Sequence, residues 1–328
     1  MARLSVPVSI LDRANNREGY SEADALGAVL ERAEAAEKSG YRRFWVAEHH
    51  AVAGIAGSAP AVLMAALAAR TRTIRIGSGG VMLPNHQPLV VAEQAATLQA
   101  LYPGRIDLGL GRSVGFTPAV RAALRAGPAE AEQFEEQLAE LLSYLNGTAP
   151  ITARPRDGGR TPVFILATGA GVEIAARAGL GVVLGGPALF RRNSAGRAGA
   201  LERYRAAFRP SDRFPRPHVI AAVNVAVAGS RDEAEELLLP EAHALAESRT
   251  KGVFPALSRA DMGAEPSPRR QDLVRGTLET SVYGTVGQVH GRLGELVASS
   301  GADELLVTGG AFDVDGQRES DRLLATLF

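Results

Sequence analysis

Cysteine is absent from this 328-residue chain, which excludes disulfides, thiolate metal sites and a cysteine nucleophile and fits a reducing cytoplasm. An excess of one charge is also missing. Basic and acidic side chains number 36 each, so nothing marks nucleic acid or an anionic membrane as the main partner. No apolar run approaches the roughly 20 residues needed to cross a bilayer. The opening "MARLSVPVSILDRANN" has a basic residue and an interrupted apolar run with no small-residue cleavage pattern behind it, so it reads as a first strand instead of a targeting signal. These absences point to a cytoplasmic protein, and 46% hydrophobic residues suffice for a large core.

Apolar runs rich in β-branched residues alternate along the chain with helical periods. Strands are expected at 4–10, 43–47, 74–77, 105–110, 163–167, 181–184, 219–227 and 304–308, each followed by a helix. Ser21 with Asp24 resembles a capping box, and Ser39-Gly40 ends the first helix. Others are expected near 60–69, 89–101 and 129–145. Strict alternation requires a parallel sheet, because each crossover returns the chain to the same edge. A doubly wound sheet and a closed barrel both satisfy that pattern. Eight repeats in a chain longer than the roughly 250 residues typical of such a barrel favour an α/β fold with one (β/α)8 TIM barrel over 1–328. Periodicity fails near 248–275, where Pro, Gly and Arg accumulate. That insertion reads either as a surface loop or as a water-excluding lid.

In a parallel barrel the carboxyl ends of the strands form the catalytic face. "RFWVAEHHAVAG" (43–54) runs from a core strand into Glu48, His49 and His50. Adjacent imidazoles point to opposite faces of extended backbone, so no metal is expected, and a Glu48–His49 acid/base unit competes with a purely structural role. In "IGSGGVMLPNHQP" (76–88), Gly77, Gly79 and Gly80 allow backbone to approach a flat ligand, or simply make a turn. "GRIDLGLGRSVGF" (104–116) lacks the G-x-G-x-x-G spacing of a dinucleotide site, but Arg112 beyond its strand suits an anionic ligand group or a rim salt bridge. "FILATGAGVEIAARAG" (164–179) offers free amides and a hydroxyl at a turn, with no Walker lysine.

Together "WVAEHH", "GSGGVMLPNHQPLVVAEQ", "LYPGRIDLGLGR" and "GTVGQVHGRL" resemble the bacterial luciferase-like flavin-dependent monooxygenases, closest to a subgroup of actinobacterial natural-product pathways. The resemblance covers nearly the whole chain. It implies a two-component enzyme of secondary metabolism that takes reduced FMN from a separate flavin reductase and uses O2 on a small or medium organic substrate. A deazaflavin-dependent hydride-transfer enzyme on the same barrel and a non-catalytic flavin-binding subunit are the alternatives. By the resemblance His49 is the active-site histidine, with Glu48 orienting it. The implied cofactor-binding set is Ala47, Gly79, Gly80, Arg112, Ala167, Thr168, Gly169, Ala170, Gly171 and Val172, with Gly79-Gly80 at a non-prolyl cis peptide against the flavin ring. The chain departs from the family in its hydroxyl-poor turn at 168–171 and in "GGPALF" (185–190), which implies a weaker phosphate site held by backbone amides. The family also implies a homodimer, for which the small-residue stretch "APAVLMAALAAR" (59–70) is the candidate surface.

Overall fold

The computed structural model describes residues 3–156, 161–169, 171–191, 199–259 and 267–328. Its strands are β1 (Val8–Asp12), β2 (Arg43–Val46), β3 (Arg75–Ser78), β4 (Val81–Met82), β5 (Ile106–Gly111), β6 (Val163–Ala167), β7 (Gly181–Gly185), β8 (Val219–Val227), β9 (Val282–Gly284) and β10 (Glu304–Thr308). Eight of them form a parallel ring in the order β10-β1-β2-β3-β5-β6-β7-β8, closed by β8 pairing with β10. The short β4 and β9 pair on the ends of β5 and β8. The fold is a (β/α)8 TIM barrel, as the alternation implies.

Several boundaries differ from expectation for local reasons. β1 begins at Val8 because Pro7 has no N–H for the ladder. The helix expected over 129–145 is two pieces, Pro128–Glu132 and Phe134–Asn146, and an unexpected short helix, Pro118–Leu124, precedes them. Arg125 in left-handed conformation closes that short helix, and Pro128 starts the next. The 248–275 segment continues helix Arg231–Lys251 at its start and rejoins helix Pro268–Glu279, with 260–266 outside the described residues. The capping box of the first helix forms in both directions between Ser21 and Asp24. Among the described residues no helix is long and apolar enough to cross a membrane.

Inward-pointing side chains fill the ring in layers. Trp45, Phe164, Ile220 and Leu306 form an apolar layer, with Leu11 and Val183 in the same cluster. Beside it lies a charged one. Arg43 donates to Asp107 at 2.7 Å and to Glu304 at 2.9 Å, Ser9 donates to Glu304, and the Trp45 indole donates to Asp107 at 3.2 Å. Gly77 makes room for that indole, since a Cβ there would meet Trp45 Nε1 at 2.5 Å.

Removing one partner of a buried ion network costs about 3–5 kcal/mol, because a charge is left uncompensated. Glu304→Ala is therefore expected to lower unfolding stability by about that much in urea titration followed by Trp45 fluorescence. Arg318→Ala, which removes an exposed pair with Glu31, is expected to cost about 1 kcal/mol or less.

Candidate active site

All ring strands run the same way, so the residues just past their carboxyl ends converge on one rim. A cavity of about 980 Å³ opens there. Arg112 and Ser113 after β5, with Ala167, Thr168, Gly169 and Gly171 at the end of β6, line one wall. Leu11 and Arg13 from β1, Asn224 from β8 and Thr308 from β10 line the wall across from it. Leu245 and Arg249 of helix Arg231–Lys251, with Gly276 and Thr277 of the next helix, cover it.

Five of the residues singled out in the sequence, Arg112, Ala167, Thr168, Gly169 and Gly171, thus share this surface. Gly79 and Gly80 are joined by a cis peptide bond. They lie just behind the wall: a Cβ on Gly79 would meet Leu11 Cδ1 at 2.6 Å, and one on Gly80 would meet the Gly109 carbonyl oxygen at 2.8 Å. Met82, two residues further on, reaches the cavity itself. Ala47 is buried in the barrel interior with Trp45. Val172 turns into the core outside the ring and is fully buried. Ala170 lies outside the described residues.

His49 and Glu48 part company. The His49 amide donates to the Gly57 carbonyl at 2.9 Å, its ring stacks at 6.0 Å on Phe116, and its buried Nδ1 has no partner among the described residues. Burial, reinforced by the positive charge of Arg13, lowers the His49 pKa to about 4, so the ring is neutral near neutral pH. The expected direct contact from Glu48 is not made: its carboxylate does not hydrogen-bond the His49 ring. The Glu48 carboxylate accepts instead from His50 Nε2 at 2.7 Å, His86 Nε2 at 2.9 Å and the Met82 amide at 3.0 Å. The cause is the alternation of extended backbone, which sends consecutive side chains to opposite sides. Burial alone would push the Glu48 carboxyl up, but these hydrogen bonds, led by that from His86, hold it below its ordinary range. Glu48, His50 and His86 have the donor types of a metal site, and hydrogen bonding satisfies the carboxylate without an ion.

Sequence reasoning missed Arg13, Asn224, Thr308 and Glu241. Arg13 lies one residue past β1, and the strand-end rule that marks Arg112 reaches it equally. It pairs with Glu241, which is buried inside a long helix and carries no local signal.

The family model described as luciferase-like monooxygenase matches residues 6–304. The chain belongs to the luciferase-like monooxygenase family. This monooxygenase is 37% identical to a luciferase-like monooxygenase of Escherichia coli K12 over 98% of its own length and 97% of that protein's. An N-acetyl-S-alkylcysteine monooxygenase of Bacillus subtilis matches at 47% identity over 45% of each chain. Among solved structures, apo-MsnO8 superposes with a TM-score of 0.85 at 33% identity, covering 98% of both chains.

A histidine whose folded pKa of about 4 lies below the unfolded value of about 6.5 binds fewer protons folded than unfolded between those limits. Stability therefore falls as pH drops through this window and levels off below the folded pKa. His218, also lowered to about 4, contributes equally to wild type and His49→Gln and cancels. Urea unfolding over this pH range is expected to show the steeper loss in wild type; parallel curves would contradict a neutral, buried His49.

Proposed function

We propose that this monooxygenase binds reduced FMN, supplied by a separate flavin reductase, and uses it with O2 to oxygenate a small or medium organic molecule of secondary metabolism in the cytoplasm. One observation carries the reading: Arg112 and the Thr168-Gly169-Gly171 turn share a cavity wall on neighbouring strands. The residues fit a flavin mononucleotide. A Cβ at Gly169 would meet nothing within 4 Å, so that backbone is open to a phosphate. The following helix spans only seven residues, Gly171–Arg177, so its dipole adds little and Arg112 and the Thr168 hydroxyl supply the attraction. The cis Gly79-Gly80 unit and Met82 would back the flavin ring.

Reduced FMN supplies two electrons to oxygen, which a deazaflavin, with carbon in place of the reactive ring nitrogen, does not readily do. Membership of a monooxygenase family favours FMN on that ground. His49 is the proposed catalytic residue: neutral and with Nδ1 unpartnered, it can take a proton or a hydrogen bond at the reacting edge. Glu48 is a positioning residue that fixes the backbone from which His49 projects, through His50 and His86. Leu11, Met82 and Leu245 exclude water around the chemistry. The helices flanking the 248–275 insertion wall the cavity through Arg249 and Gly276, which supports reading that insertion as a cover on a single barrel domain. A homodimer through helix Pro60–Arg70 is supported by Val62, 71% exposed, and by Leu101 on the next helix, 63% exposed.

Two measurements test this. Reduced FMN is expected to bind more tightly than the deazaflavin cofactor in anaerobic titration, and the reverse order would reject the proposal. Arg112→Gln is expected to weaken FMN binding by about 10- to 100-fold, the worth of a charge-assisted contact of about 1.5–3 kcal/mol, with little effect on riboflavin, which lacks the phosphate.

A further inference from the structure

We propose that Arg13, clamped by Glu241, anchors a substrate subsite for a carboxylate, on the cavity wall opposite the turn at Thr168. The inference rests on the reading that the Thr168 wall holds the flavin phosphate. In the ring order β10-β1-β2-β3-β5-β6-β7-β8, β1 and β6 are four strands apart in both directions. Arg13 follows β1 and Thr168 follows β6, so the two polar walls face each other across the cavity. A phosphate held at one wall leaves the other free for a different anion.

Arg13 is held as a ligand-binding arginine needs to be. One oxygen of Glu241 accepts from Arg13 Nη1 and the other accepts from the Gly310 amide, so both of its oxygens are engaged. Glu241 is only 2% exposed at its side chain, whereas Arg13, at 22%, reaches the cavity. Among the described residues Glu241 alone hydrogen-bonds the guanidinium, so Nε and Nη2 remain as a fork of donors. A planar fork of this kind matches a carboxylate. Its neighbours are donors too. Thr308 Oγ1 donates to Asn224 Oδ1, which leaves the Asn224 Nδ2 hydrogens for a ligand. Leu11, Val183 and Leu245 line the adjoining surface and suit an apolar body. Arg249, exposed at the cover, adds a second cation on the path of an entering anion. The substrate class that matches is a small organic acid with an apolar portion.

The test is isothermal titration calorimetry on the full chain with two acid and ester pairs, 3-phenylpropanoate and N-acetylmethionine, each against its methyl ester. Wild type is expected to bind at least one acid tenfold or more tightly than its ester. Arg13→Gln is expected to abolish that preference while FMN affinity, read by flavin fluorescence, stays within about twofold. Because Arg13→Gln strands Glu241, the double variant Arg13→Gln/Glu241→Gln removes both charges and retains an acceptor for the Gly310 amide. Loss of preference in a double variant that melts cooperatively supports the subsite. Three results would overturn it: no acid preferred in wild type, a preference that survives in the folded double variant, or FMN affinity falling in step with acid affinity, which would assign Arg13 to the flavin. Arg13-dependent acid binding in a protein that binds no FMN would reject the cofactor reading and leave the anion subsite standing.

Discussion

Arg43 carries a full charge inside the ring of strands, where an unpaired ion is costly by several kcal/mol, and among the described residues Asp107 on β5 and Glu304 on β10 compensate it at close range. Ser9 on β1 and Arg75 on β3 complete the same network through Glu304 and Asp107. Five of the eight ring strands therefore have to present particular residues inward at the same level. A slip of one residue in any of them would turn its polar group out of the ring and leave a charge behind. Such a network is weak ground for stability, since well-packed apolar residues can do as well. It dictates register. Register decides which side chain stands at each strand end, and so which groups meet in the cavity.

Much of the barrel was legible because its strands obey a simple rule. β6, β8 and β10 are bounded by residues that break or cap them, and the expected ranges 163–167, 219–227 and 304–308 agree with the structure to the residue. The rest failed for identifiable reasons. β4 and β9 have two and three residues, too few for any period to show. Helical composition across 129–145 hid the break at Gln133, and the short helix Pro118–Leu124, ended by a left-handed Arg125, was missed.

The candidate site was legible where function follows chain position and illegible where it follows contact. Arg112 and Thr168 were found because each stands one residue past a buried strand. Glu48 and His49 misled by being adjacent: neighbours in sequence point apart in extended backbone, and the carboxylate's partner His86 lies 38 residues away. Glu241 offered still less. In helix Arg231–Lys251, which is rich in surface acids, the one glutamate that reaches under the barrel rim differs from Glu233 or Glu236 only in what it touches.

On the proposed reading, the cation just past β1 would tie the seating of an anionic substrate to the protonation of the histidine. Arg13 contributes, after burial, to the lowering of the His49 pKa, while the charge of Glu48, itself hydrogen-bonded to His50 and His86, opposes it. A protonated His49 would be both poorly hydrated and repelled by Arg13, so the ring stays neutral near neutral pH and Nδ1 has no partner among the described residues. Negative charge brought to Arg13 would weaken that repulsion and raise the basicity of His49 only when the site is filled. The cavity is then asymmetric in its charged groups: Arg112 beside the turn at Thr168 on the β5–β6 wall, and across it the guanidinium of Arg13, fixed from behind by Glu241.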